Sequence, residues 1–272
     1  MNPALLIARV EARGISRRRW VLSVIGIGAL LIIAGAILAA GRDGLAAVDT
    51  MRSWTAGVEL VVGLALAASL GASTVNRDGD AGWVGMQVAT GTPRGTVAVG
   101  RVLGRLAVLV VAFAIWILVA VIASAIIGQG GDWDLFVNGL AMLENMVLVL
   151  TAAAICSVAL GPVASGIVAV FFYVSCLSLV NLAAASDAGV IGTAWTPLIK
   201  TFYFVFPRSI TSPMLSEMQA AGTAGVAGAQ LEINGNIVIV PTSSWATIIW
   251  TLMWCVLLVL GTAAGLRKRA LS

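Results

Sequence analysis

The sequence lacks histidine and is poor in cysteine and in charged residues. Its three cysteines, at positions 156, 176 and 255, lie inside apolar runs and lack the paired spacing of a metal site. These absences argue against a zinc or haem centre, against acid–base chemistry by histidine and against a disulfide framework. We therefore expect no metal or cofactor bound by this chain itself.

Charged residues make up 10% of the 272 residues, hydrophobic residues make up 60%, and the mean hydropathy is +1.03. A soluble domain of this size has too few polar side chains to cover so much apolar surface. About 20 apolar residues of helix cross a bilayer, and six runs reach that length, at about 20–40, 55–73, 106–127, 135–160, 166–185 and 245–266. The sequence therefore predicts an all-α polytopic membrane protein, with residues 1–272 as one transmembrane domain.

Basic residues are distributed unevenly between the two sides of this pattern. Twelve of the sixteen lie before the first span, between spans two and three, or after span six. Because cytoplasmic loops are enriched in Lys and Arg, we expect a multi-pass protein of the inner (cytoplasmic) membrane with both termini cytoplasmic. The net charge of +4 indicates attraction to anionic membrane lipid, and the positions of the basic residues beside the spans argue against nucleic-acid binding.

Residues 1–19 interleave apolar and basic positions, which predicts a short helix in the membrane interface on the cytoplasmic side. Gly14 predicts a break in that helix before the basic cluster at 17–19. The alternative is a frayed basic tail that only anchors the topology.

Between spans two and three, the sequence predicts a short helix from Asp80 to Thr90. Asp80 suits the N-cap of a helix, and Trp83, Met86 and Gln87 share one face at three- and four-residue spacing. An exposed Trp and Met there suit docking to a soluble partner. The alternative is an ordinary interfacial helix whose Trp lies among lipid head groups.

The glycines that follow, in residues 95–102, have the spacing of a phosphate-binding loop. The stretch lacks the lysine and the hydroxyl residue that contact phosphate and magnesium in such loops. We therefore expect that this chain does not hydrolyse ATP and is not itself an enzyme. Gly100 and Gly104 instead predict close helix packing.

The order of features along nearly the whole chain resembles the permease subunits of type-2 ATP-binding-cassette exporters. The features that carry the resemblance are the basic amphipathic N-terminus, the short helix after span two, Pro93-Arg94, Gly-Arg-Val-Leu-Gly at 100–104, the apolar run ending in proline at 202–207, and Leu-Arg-Lys-Arg at 266–269. The resemblance implies that the Asp80 to Thr90 helix is a coupling helix in contact with a separate ATP-hydrolysing subunit. The contact residues that it implies are Asp80, Trp83, Met86, Gln87, Pro93 and Arg94.

The resemblance also implies an assembly of two permease subunits, identical or different, with two ATP-binding-cassette ATPase subunits that bind ATP and magnesium. Closure of the ATPase subunits would push on the coupling helix and shift the spans between inward- and outward-open arrangements. Substrate would leave the cytoplasm between protomers, near spans one, two and five. Because few charges lie inside the spans, the sequence favours a lipid-like or amphipathic substrate, with a sulfur compound, a peptide or a drug as alternatives.

The stretch at 186–244 is the longest between predicted spans, and we expect it on the external side. Residues 194–206 are apolar but too few to cross a bilayer, which predicts a re-entrant or external helix. Residues 231–239 alternate polar and apolar types around Asn234-Gly235, which predicts a small β-hairpin.

Ionisable residues inside spans are costly and mark candidate functional positions. Glu144, beside Asn145, is nine residues past Leu135, or roughly 13 Å along the helix, which places it near mid-membrane. It either lines a polar path or makes an interhelical hydrogen bond. Glu59 is four residues inside the second predicted span, within reach of the external interface. Asn181 in span five fits ordinary packing and completes this set of polar intramembrane positions.

Two other classes of function stay open from the sequence. A non-transporting membrane scaffold or assembly factor predicts no ATPase partner and tolerance of a polar residue at Trp83. An ion-coupled secondary transporter predicts ion flux without ATP, together with paired discontinuous helices and internal repeats. The sequence shows no convincing repeat.

Overall fold

The computed structural model describes residues 2–75, 92–128, 133–187, 194–207, 228–233, 236–241 and 245–268. The predicted Asp80 to Thr90 helix lies outside the described residues, and with it four residues of the implied ATPase contact: Asp80, Trp83, Met86 and Gln87. Pro93 and Arg94 lie inside the described part.

The described part of the chain forms eight helices and one two-stranded sheet. In chain order the elements are α1 (Pro3–Ser16), α2 (Arg19–Ala40), α3 (Gly44–Ala72), α4 (Arg94–Ile126), α5 (Trp133–Ala159), α6 (Pro162–Asp187), α7 (Thr196–Val205), β1 (Gly228–Ile233), β2 (Asn236–Pro241) and α8 (Trp245–Lys268). Six of the helices, namely α2 to α6 and α8, are long and apolar enough to cross a membrane, judged by length and composition. The predicted helical, multi-pass membrane character is confirmed at this level.

Two of these helices begin well before the apolar runs that predict them. α3 begins at Gly44 instead of 55, and α4 begins at Arg94 instead of 106. A helix continues past its apolar run where neighbouring helices pack against the extension, because its stability comes mostly from packing. The other boundaries lie within four residues of the prediction.

The predicted helix break at Gly14 is wrong, because α1 continues through this residue. The Asn2 side chain caps the helix by accepting a hydrogen bond from the Ala4 N–H at 3.1 Å. A glycine inside a helix lowers the stability of the helix by only about 1 kcal/mol relative to alanine. The packing of α1 along α4 offsets this loss. The chain turns at Arg18 instead, whose extended backbone (ψ 124°) leads into α2.

The centre of the bundle is α3, which packs against α2, α4, α5 and α6. Phe113 and Trp116 of α4 are fully buried and meet edge to face, with ring centroids 5.1 Å apart. Gly63 of α3 makes room for Phe113 and for Met146 of α5: a Cβ atom there would lie 2.8 Å from Phe113 Cζ and 3.3 Å from Met146 Cγ. We name Phe113 and Met146 the apolar plug, since they fill the space between α3, α4 and α5 at this level.

Two tryptophans hold α2 against the bundle. Trp116 of α4 and Trp54 of α3 each donate their indole N–H to a main-chain carbonyl of α2, at 2.9 Å and 2.7 Å. Each indole lies where α2 carries a glycine, Gly28 beside Trp116 and Gly35 beside Trp54. The absence of a side chain at these two positions lets the rings reach the helix backbone.

The connection between α6 and α8 contains a short helix and a hairpin. β1 and β2 pair antiparallel from Gly228 opposite Pro241 to Ile233 opposite Asn236, and β2 contacts α6. α7 is followed by Phe206, whose ring stacks on Trp254 of α8 with centroids 6.1 Å apart. Trp254 also donates its indole N–H to the Val205 carbonyl at 2.9 Å. The end of α7 is therefore bound to α8.

Candidate functional site

One end of the bundle gathers α1, the end of α3, the start of α4 and the ends of α5 and α8, and we name it the basic end. A Cβ atom at Gly95 of α4 would lie 2.6 Å from Nε of Arg267 in α8. The Val75 N–H donates to Ser157 Oγ of α5 at 3.2 Å. The described chain stops at residue 75 and resumes at residue 92, and both of these residues lie at the basic end. The predicted Asp80 to Thr90 helix, which we name the docking segment, lies between them in the sequence.

A single arginine connects three helices at the basic end. Arg105 of α4 is only 3% exposed. Its Nε and Nη2 donate to Oε1 of Glu11 in α1, at 3.1 Å and 2.9 Å. Its Nη1 donates to the Leu70 carbonyl at 2.6 Å, to Ser73 Oγ at 2.7 Å and to Thr74 Oγ1 at 3.2 Å. The guanidinium thus joins α1, α4 and the end of α3.

Arg101, one helical turn before Arg105, fastens the chain just before the docking segment. It is also buried, and its Nη1 donates to the Thr74 carbonyl at 3.1 Å. Thr74 is therefore bound to α4 and Val75 to α5. We name Glu11, Arg101, Arg105 and the acceptors in 70–74 the arginine junction.

Sequence reasoning missed this junction, because it assigned Arg101 and Arg105 to a loop as topology charges. They are buried helical residues instead, since α4 begins at Arg94. A usable signal was present in the sequence: the arginines are four residues apart and alternate with Gly100 and Gly104 at the same spacing. One face of α4 therefore combines small residues with long cationic stems.

The prediction that Gly100 and Gly104 permit close helix packing is confirmed. A Cβ atom at Gly100 would lie 2.8 Å from the Ala4 carbonyl oxygen, and one at Gly104 would lie 2.6 Å from that of Ala8. α1 consequently rests directly on the backbone of α4. Three of its apolar side chains are more than half exposed on its outer surface: Leu5, Leu6 and Val10.

The two described residues of the implied ATPase contact, Pro93 and Arg94, lie at the N-terminal end of α4. Pro93 occupies the N-cap in extended backbone, and Arg94 is the first helical residue and half-buried. They lie about two to three helical turns from Arg101 and Arg105 along the same helix. The other four contact residues lie outside the described part of the chain.

Glu59 is buried between helices of the bundle. It is 1% exposed and lies fifteen residues after the start of α3, about 22 Å along the helix. A Cβ atom at Gly139 of α5 would lie 3.3 Å from its Oε1 and would also meet Ile117 of α4. Glu59 is further from the start of its helix than predicted, because α3 begins eleven residues before the apolar run; its distance from the external interface stays a prediction.

The other polar intramembrane positions are separate from Glu59. Glu144 lies five residues after Gly139, which turns it roughly 140° around α5, and its electrostatic neighbour is Cys255 of α8. Asn145 is fully buried. Asn181 lies in α6, and its side chain is not among those that the structure describes. Glu59 and Glu144 therefore have different neighbours among the described residues.

A groove of about 570 Å³ runs between the end of α3 and the start of α6. Its walls are almost entirely apolar, with small residues such as Ala65, Ala72 and Gly166 on the floor and Phe171 at one side. Three of the lining side chains, Val163, Ile167 and Phe171, are exposed in this chain. An acyl chain or another slender apolar group fits such a surface.

Comparison with protein-family models and with curated proteins finds no match for this chain. The class that the fold itself defines is a multi-pass helical membrane protein with six candidate spans.

Proposed function

We propose that this chain is the membrane-spanning permease subunit of an ATP-binding-cassette exporter that moves an amphipathic or lipid-like substrate out of the cytoplasm. ATP and magnesium bind to two copies of a separate ATPase subunit. A second permease copy completes the transporter. The basic end of the bundle is the cytoplasmic end, and the membrane is the inner (cytoplasmic) membrane.

The observation that carries the proposal is the arginine junction, which holds the chain up to residue 75. A transporter driven by a soluble motor needs a docking segment that passes its movement to several spans at once. Thr74 and Val75 before this segment are held by α4 and α5, and Arg105 joins α4 to α1 and α3. A displacement of the segment thus acts on four helices within about two helical turns.

The groove between α3 and α6 supports the substrate class. It is lined by α3 and α6, the second and fifth spans, and its lining is apolar. An amphipathic molecule places its apolar part in such a groove while its polar part stays at the membrane surface. In a pair of permease subunits, this groove would face either lipid or the second copy.

The first test is assembly with an ATPase. The tagged chain is co-expressed with the products of neighbouring genes and purified in mild detergent, and bound protein and ATP hydrolysis are quantified. We expect a stoichiometric ATPase, which Trp83→Asp with Met86→Asp removes because two charges enter an apolar contact. The matched control is Trp133→Asp, which places the same charge at an exposed Trp outside the basic end.

A third variant separates docking from transmission. Glu11→Gln leaves the docking residues intact and weakens only the link from α1 to Arg105. We expect it to retain the ATPase in full stoichiometry and to change the hydrolysis rate of the complex. A folded six-span protein that binds no ATPase would contradict the permease proposal and favour the membrane scaffold.

A further inference from the structure

A second site of interest lies deep in the bundle, at Glu59. Among the described residues, neither carboxyl oxygen of Glu59 has a hydrogen-bond partner. Gly139 of α5 lies beside its Oε1, and the Ile117 side chain of α4 packs against the same glycine. A charged carboxylate without hydrogen bonds is strongly disfavoured in such an apolar space, whereas a protonated carboxyl is uncharged and much cheaper to bury.

Thr55, one turn before Glu59 on α3, provides an independent sign of a site. Three other hydroxyl residues of this helix, Thr50, Ser53 and Ser69, donate to the carbonyl four residues earlier. The Thr55 hydroxyl is buried and makes no such bond or any other within the described part of the chain. It is therefore available to a group in the seam between α3 and α5.

A polar stripe connects Glu59 to one end of the bundle. Arg52, Thr55 and Glu59 are spaced three and four residues apart and share one face of α3. Asp134 and Asn138 are four apart on α5, and Arg52 Nη2 pairs with Asp134 Oδ2 at 2.5 Å. Both members of this pair keep about a quarter of their side-chain surface exposed. From the pair to Glu59 is about 10 Å along the helix axis.

The stripe ends at Glu59, because the apolar plug closes the seam beyond it. Gly63, the next residue of α3 on this face, lies against Phe113 and Met146. Phe113 and Met146 are fully buried. Exchange between Glu59 and water therefore has a polar route toward the Arg52–Asp134 pair and an apolar barrier on the other side.

The helices packed on α3 present few titratable groups to Glu59. α2 from residue 20 and α4 from residue 106 carry none. α5 supplies Asp134, held by Arg52, and Glu144, which lies near Cys255 of α8. α6 supplies Tyr173 and Cys176, both buried. In addition, no group of three or more His, Cys, Asp or Glu side chains that could hold a metal ion occurs among the described residues.

We propose that Glu59 is a binding site for a single proton, exchanged with water through the stripe that ends at Arg52–Asp134. The carboxylate takes one proton from a hydronium ion that enters at the Arg52–Asp134 end: one O–H bond of the hydronium breaks, one O–H bond forms on the carboxyl, and neutral water is left. Thr55, whose hydroxyl has no partner among the described residues, would donate a hydrogen bond to the carboxylate or accept one from the protonated carboxyl. The site holds a proton rather than a metal ion because one carboxyl and one hydroxyl offer too few oxygen ligands. It does not depend on the proposed permease function.

The experiment labels Glu59 with dicyclohexylcarbodiimide, an apolar reagent that adds to protonated carboxyl groups. The purified full-length chain in lipid nanodiscs is treated over a pH series, and the modified peptides are quantified by mass spectrometry. We expect modification of Glu59 that falls as pH rises, is abolished in Glu59→Gln and persists in Glu144→Gln. The detergent-unfolded protein is the positive control: it tests whether the Glu59 peptide is detected and whether its carboxyl reacts with the carbodiimide.

Two further measurements define the outcome. Arg52→Gln opens the mouth of the stripe, so we expect several-fold faster modification of Glu59 by a water-soluble carbodiimide in this variant. An unmodified Glu59 in the folded protein at every pH would overturn the proposal. Protection of Glu59 by sodium ions would also overturn it, because it would reveal a metal-cation site instead.

Discussion

Replacing Arg105 by Met tests whether its guanidinium holds α1, α3 and α4 together. Methionine keeps much of the apolar stem but leaves Glu11, the Leu70 carbonyl, Ser73 and Thr74 without their charged donor. Removal of one partner of a buried ion pair costs about 3–5 kcal/mol of unfolding free energy. Because 17% of the Glu11 side-chain surface is exposed, water can solvate it in the variant. We therefore expect the variant to lose about 3 kcal/mol of unfolding free energy.

The assay is a double-mutant cycle of Glu11→Gln and Arg105→Met, with unfolding free energy measured by denaturant titration in detergent micelles. Direct contact predicts a coupling energy of about 1–3 kcal/mol between the two sites. Arg105→Lys should fall between the wild type and Arg105→Met, since it keeps the charge but loses the fork that bonds two helices. If the losses of the two single variants sum to the loss of the double variant within about 0.5 kcal/mol, the direct contact between Glu11 and Arg105 is refuted.

Two more substitutions test the packing of the bundle. Gly104→Val forces α1 away from α4, because its Cβ would lie 2.6 Å from the Ala8 carbonyl oxygen; we expect a loss of about 1–3 kcal/mol and faster proteolysis within α1. Gly14→Ala is the control, since nothing lies within 4 Å of that position, and it should stabilise α1 by about 0.5–1 kcal/mol; equal proteolysis of the two variants would contradict the contact. Trp116→Phe removes a buried indole donor and should cost about 1 kcal/mol or more in the same titration. Trp54→Phe should cost less, because Trp54 is 38% exposed, and the reverse order would argue against the assignment.

The number and approximate place of the spans follow from the apolar runs alone, because a bilayer demands a fixed length of apolar helix. The starts of α3 and α4 do not follow from those runs. Their first turns carry polar residues such as Asp49 and Arg101, and these turns are helical because α5 and α1 pack against them. Hydropathy measures affinity for lipid, whereas these turns depend on contacts between helices.

The arginine junction was beyond sequence reasoning for a similar reason. Glu11 and Arg105 are 94 residues apart in the chain, and no local pattern indicates that they pair. An arginine beside a span is normally read as a topology signal, so its burial was unexpected. Gly100 and Gly104 were informative because a glycine pair four residues apart has few uses in a helix other than close packing.

The two indoles on α2 restrict how the bundle can move. Each ring lies in a notch of α2, and the notches are seven residues apart, about 10 Å along the axis. Sliding or rotating α2 would require both rings to leave together and would break both N–H bonds to its carbonyls. We therefore expect α2, α3 and α4 to move together, whereas the contact of α6 with α3 is bordered by the open groove.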